Sequence, residues 1–177
     1  MEGENLLSTF DDYDYKSNPA RLIAMQALMV AFVSVATFIA VPGPSSSYFN
    51  LGEVAIYIIA LTFGGKAGGI AGAFGSGITD VLLGYSIWAP FTFVIKGLEG
   101  YLIGKIAGGE TDLKKVIIAI LIGGHIMIVG YGITKGFLIS WAAVLPEIFI
   151  DYGQMSIGAI VAIPISRQLI KYFKSDN

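Results

Sequence analysis

The chain has 177 residues, 55% hydrophobic and 14% charged, with a mean hydropathy of +0.73 and a formal net charge of −2. A soluble domain of this length carries about 25% charged residues, so the composition points to an integral membrane protein. With no cysteine in the chain, disulfides and thiolate chemistry are excluded.

The N-terminal stretch Met1–Tyr15 holds five acids and no base, and reads as a solvated, disordered cytoplasmic tail covering residues 1–18. A membrane domain is expected over 19–174. Its first span, Leu22 to Val41, contains no charge. Twenty such residues reach across roughly 30 Å of hydrocarbon. It begins late and lacks a good cleavage site, so it does not read as a signal peptide. Ala20, Ala24, Ala27, Ala31 and Ser34 recur at helical spacing and form one small-residue stripe. Such a stripe lets another helix approach closely, inside the fold or beyond it.

Five more spans are expected: Gly52 to Phe63, Gly68 to Leu83, Trp88 to Ile106, Val116 to Thr134 and Met155 to Ile170. The fold class is therefore all-α, a polytopic protein with six transmembrane helices. The second and third spans meet at Phe63-Gly-Gly-Lys-Ala-Gly-Gly69. Small residues at Gly64, Gly68, Gly72 and Ser76, and at Gly100, Gly104 and Gly108, mark close helix seams. The apolar piece Phe137 to Ile150 is broken by Pro146, Glu147 and Asp151, so it is expected to be an interfacial or re-entrant piece before the last span. With both termini in the cytoplasm, Lys16, Arg21, Lys66, Lys105, Lys114, Lys115, Arg167, Lys171 and Lys174 fall inside; only Lys96 and Lys135 do not. This charge bias favours that orientation.

Enzyme signatures are missing. Gly64-Gly-Lys-Ala67 lacks the hydroxyl and upstream glycine of a P-loop, and His125, the single histidine, makes no metal set without cysteine. No catalytic or metal residues and no cofactor are expected. Energy would come from another subunit or an ion gradient.

Ionisable residues inside a membrane are costly and mark sites. Lys96 lies eight residues beyond Trp88, roughly 12 Å along a helix, and Glu99 lies one turn deeper. The two either close a structural ion pair or meet a ligand. His125 is open to a helix–helix hydrogen bond or to ligand contact. Lys135, Glu147 and Asp151 lie at the outer end, where solvation accounts for them. Asp80 is placed to cap or pair. Tyr48, Tyr85, Trp88 and Tyr131 share that depth, as an interfacial belt or as walls of a ring-binding pocket. Asn50 converges on the same outer half.

Four stretches taken in order resemble the substrate-binding S component of an energy-coupling factor (ECF) vitamin transporter. These are Ala27-Leu-Met-Val-Ala31, Phe49-Asn-Leu-Gly-Glu-Val54, Phe63-Gly-Gly-Lys-Ala-Gly68 and Pro90-Phe-Thr-Phe-Val-Ile-Lys-Gly-Leu-Glu-Gly100. The nearest subgroup is the riboflavin-type one, with carriers of hydroxymethylpyrimidine and vitamin B6-like rings. The resemblance implies capture of a vitamin from outside the plasma membrane and uptake driven by a membrane scaffold subunit with two cytoplasmic ATPases. It places Ala27 and Ala31 against the scaffold. Candidate ligand residues are Asn50, Glu53, Tyr85, Trp88, Lys96, Glu99, His125, Tyr131, Glu147 and Asp151. One departure stands out: many relatives are rich in Asn and Gln at the entry to the last helix, but here it reads Pro146-Glu-Ile-Phe-Ile-Asp151-Tyr-Gly-Gln154. Acids there suit a ligand with basic nitrogens, such as a pyrimidine or pyridine amine. The alternative is a stand-alone ion-coupled carrier, or a packing subunit of another complex, with Lys96, Glu99 and His125 as the ion path.

Overall fold

The computed structural model describes residues 19–43 and 48–175; the acidic tail expected over 1–18 lies outside them. Six helices follow one another: α1 (Pro19–Phe38), α2 (Gly52–Phe63), α3 (Gly65–Leu82), α4 (Ala89–Ala107), α5 (Leu113–Leu138) and α6 (Val144–Ser175). Three of them, α1, α5 and the stretch Trp141–Ser175 that contains α6, are long and apolar enough to cross a membrane. The glycine, lysine and glutamate content of α3 and α4 gives them a weaker apolar signal.

The burial pattern is that of a protein solvated by lipid. Ile23, Leu28, Val94, Phe137 and Ile160 are exposed, while Glu53, Lys96, Glu99, Lys135 and Asp151 are buried. In water this would be inverted; in a bilayer, polar groups gather inside the bundle.

Two expectations need correction. The chain is not purely helical: Ala40–Pro42 (β1) and Tyr48–Asn50 (β2) pair antiparallel, with Ala40 opposite Asn50 and Pro42 opposite Tyr48. The first helix therefore stops at Phe38, and its apolar tail to Val41 turns into strand. The second correction concerns Phe137–Ile150. Phe137 and Leu138 close α5, Trp141–Ala143 forms one 3-10 turn, and α6 starts at Val144. Pro146 and Glu147 do not break that helix because they occupy its first turn. There a proline costs no hydrogen bond and an acid faces the positive end of the helix dipole.

Glycine sets the spacing of the helices. Gly64 adopts φ +91°, a conformation open to glycine, and turns α2 directly into α3. A methyl group on Gly68 would sit 2.8 Å from the Gly100 carbonyl oxygen, and one on Gly72 2.6 Å from that of Lys96. The α3 and α4 backbones thus touch along the seam expected from the small residues. This contact holds Lys96 against α2 and α3.

Helix α1 packs on α3 through a face other than its alanine stripe. Gln26 donates to the Ala67 carbonyl at 3.3 Å, Ser34 to Gly75 at 3.0 Å and Thr79 to Ser34 at 3.3 Å. Ser34 belongs to the interior. Ala20, Ala24, Ala27 and Ala31 are exposed.

Candidate functional site

At the end of the bundle that carries the hairpin, a narrow cavity of about 40 Å³ opens between β2, α3, α4, α5 and α6. Tyr48 and Asn50 reach it from β2, Asp80 from the last turn of α3, and Tyr85 and Trp88 from the α3–α4 connection. Thr92 and Lys96 come from α4, one turn apart, and Tyr131 from α5. The far wall is α6, where Glu147, Asp151 and Gln154 share one face at helical spacing.

Each wall is held from behind. Tyr48 stacks on Tyr85 with ring centroids 5.0 Å apart and donates its hydroxyl to Asp80. Burial pushes the Tyr48 phenol above its ordinary range, so it remains a donor. Tyr131 donates to Thr92 at 3.2 Å. The Gln154 carboxamide oxygen accepts from the Asn50 backbone N–H at 2.9 Å, which ties α6 to the hairpin. Asn50 in turn accepts from the Gly52 N–H at 2.7 Å and supports the start of α2.

The floor is a buried charge network. The Lys96 ammonium bonds Glu53 from α2 and Glu99 at 3.1 Å from its own helix. It also lies 2.8 Å from the Met127 sulfur and 5.3 Å from the centre of the Tyr131 ring. Tyr57 donates to the other oxygen of Glu99 at 2.9 Å. Beside the cavity, Lys135 pairs with Glu147 at 2.6 Å and sits 5.7 Å from the Trp88 ring centre. Lys135, Glu147 and Asp151 are all buried, so the expectation that solvation accounts for these outer-end charges is corrected. The end of α5 and the start of α6 are driven together, and the ion pair replaces water.

Of the sequence-derived candidates, Asn50, Tyr85, Trp88, Lys96, Tyr131, Glu147 and Asp151 line the cavity. Glu53 and Glu99 lie beneath it, bound to Lys96. His125 is elsewhere. It is exposed on α5, with Nδ1 2.7 Å from its own Leu121 carbonyl and Nε2 3.2 Å from the Tyr152 hydroxyl. Helical spacing from Tyr131 could have shown this: six residues set the two side chains far apart around the helix. Tyr48, Asp80, Thr92 and Gln154 complete the lining. Thr92 lies one turn before Lys96 on α4. That spacing signals a shared face once Lys96 is taken as facing inward.

The arrangement can enclose a small, flat, polar molecule between tyrosine and tryptophan rings and offer it carboxylates and amides. Residues 17–171 match the family model of the ECF-type riboflavin transporter S component. An uncharacterized protein in the gap 3′ region of Pyrococcus woesei is 36% identical over 131 residues, which cover 73% of this chain and 88% of that protein. The thiamine precursor transporter HmpT of Lactococcus lactis subsp. cremoris (strain MG1363) is 27% identical over 122 residues, 69% of each. The chain belongs to the ECF-type riboflavin transporter S component family: it is a membrane transport protein and not an enzyme.

Proposed function

We propose that this chain captures a single-ring vitamin precursor of the hydroxymethylpyrimidine type from outside the plasma membrane and delivers it for ATP-driven uptake. The observation that carries this reading is the cavity itself. It is walled by Tyr48, Tyr85, Trp88 and Tyr131, floored by Lys96, and holds about 40 Å³ of free space. Aromatic walls with a few polar groups between them suit one flat heterocyclic ring. A relative named for thiamine precursor transport supports the same choice over riboflavin and over a vitamin B6-like ring.

In this reading six helices span the bilayer with both termini in the cytoplasm, and no cofactor is needed. A scaffold subunit and two ATPases supply the energy. Ala27 and Ala31 face away from the bundle, free for the scaffold to approach. The ion-coupled alternative loses support because His125 stands apart from Lys96 and Glu99.

Uptake assays in cells decide between the two. Hydroxymethylpyrimidine accumulation is expected only when this chain, the scaffold and the ATPases are produced together. Accumulation that persists without the ATPases would contradict the proposal and favour an ion-coupled carrier.

A further inference from the structure

The acids at the entry to α6 leave one group unsatisfied. Asp151 is only 1% exposed and lines the cavity, yet its Oδ2 has no hydrogen-bond partner among the described residues. Its Oδ1 receives only a long contact of 3.4 Å from the Gln154 amide. A buried carboxylate oxygen without a donor is costly. The other acids around the cavity each have a partner: Glu53 and Glu99 bond Lys96, Glu147 bonds Lys135 and Asp80 accepts from Tyr48. Glu53 keeps a second buried oxygen, Oε2, without a partner among the described residues, but it lies beneath the cavity and does not line it. Both ammonium groups are therefore engaged, and carboxyls outnumber them. The cavity lacks a donor, not an acceptor, and its charge disfavours an anionic ligand.

We infer that Asp151 is the specificity-determining residue of the site and pairs with an amidine edge of the ligand, an exocyclic amino group beside a ring nitrogen. The amino N–H meets one carboxyl oxygen. The ring nitrogen and the other oxygen share one proton, so the pair forms with that proton on either partner. Such a two-point contact is planar, like the forked pairs that guanidinium makes with carboxylates. The Gln154 carboxamide, held by Asn50, keeps Asp151 oriented. Pyrimidines with an amino group beside a ring nitrogen carry this edge; riboflavin and hydroxypyridines do not present it. The inference rests on the pyrimidine reading above and goes further by naming the group recognised and the residue that recognises it.

The test is calorimetric titration of the purified full chain with 4-amino-5-hydroxymethyl-2-methylpyrimidine and with its analogue lacking the 4-amino group. Wild type is expected to prefer the amino compound by roughly 100-fold, since a site built around a hydrogen bond rejects the ligand that cannot make it. In Asp151→Ala the preference collapses to about threefold or less, because no acceptor is left to read the amino group. In Asp151→Asn part of the preference returns, because a carboxamide also pairs with an amino group beside a ring nitrogen. Equal binding of both compounds by wild type, or an undiminished preference in Asp151→Ala, would overturn the assignment while leaving the pyrimidine reading in place. Binding of riboflavin or a B6-like ring and of neither pyrimidine by wild type would overturn both. If Asp151→Ala does not fold, Asp151→Asn decides: a preference reduced from wild type is expected, and one undiminished would overturn the assignment.

Discussion

Replacing Lys96 by Met is expected to destabilise the purified chain by about 3–5 kcal/mol, the usual cost of removing one partner from a buried ion network. The ammonium is the shared counter-charge of Glu53 and Glu99, which are 1% and 0% exposed. Without it, two carboxylates face each other in the middle of the bundle with only the Tyr57 hydroxyl to relieve them. Denaturant unfolding in detergent measures the loss. Glu99→Gln alone should cost much less, because Lys96 keeps Glu53. The triple variant Lys96→Met, Glu53→Gln, Glu99→Gln should recover most of the stability of wild type, since no unpaired charge remains. A Lys96→Met chain as stable as wild type would show that the network does not hold the floor of the cavity.

The second large effect is on transport and not on stability. Ala27→Trp and Ala31→Trp should each abolish uptake while ligand affinity stays within about twofold of wild type, as expected of exposed sites away from the ligand. Both residues are exposed on α1, whereas α1 meets α3 through Gln26, Val33 and Ser34. An indole there projects from an exposed face of α1 and blocks the approach of a partner helix. Uptake in cells producing the whole transporter, set beside titration of the purified variants, separates the two effects. Loss of ligand binding in both variants would make the stripe an internal seam and remove the docking argument.

Much of this was legible in the sequence because it is written locally. Apolar runs bounded by glycine and charge gave the helices, and Gly68, Gly72, Gly100 and Gly104 announced a close seam. Lys96 and Glu99, three residues apart, are neighbours on any helix. What escaped needed information from distant parts of the chain. Glu53 and Lys96 are 43 positions apart, and periodicity cannot say which helices face each other. The pairing of β1 with β2 involves strands of three residues, too short to show an alternating pattern. Pro146 looked like a breaker because its position within a helix decides its effect, and the 3-10 turn at Trp141–Ala143 shifted that position. Lys135 looked solvated because a terminal lysine usually is. Only the fold of α6 back onto α5 brings Glu147 to it.

The central claim is that this chain binds one small aromatic vitamin precursor in the cavity above Lys96. Its most direct test is mass spectrometry of the small molecules released by denaturing the full chain purified from membranes, followed by thermal shift across the B vitamins and their precursors. The expected result is one aminopyrimidine released per chain and a marked thermal stabilisation when it is added back. Release of no such molecule, with no thermal shift from any vitamin or precursor, would contradict the account.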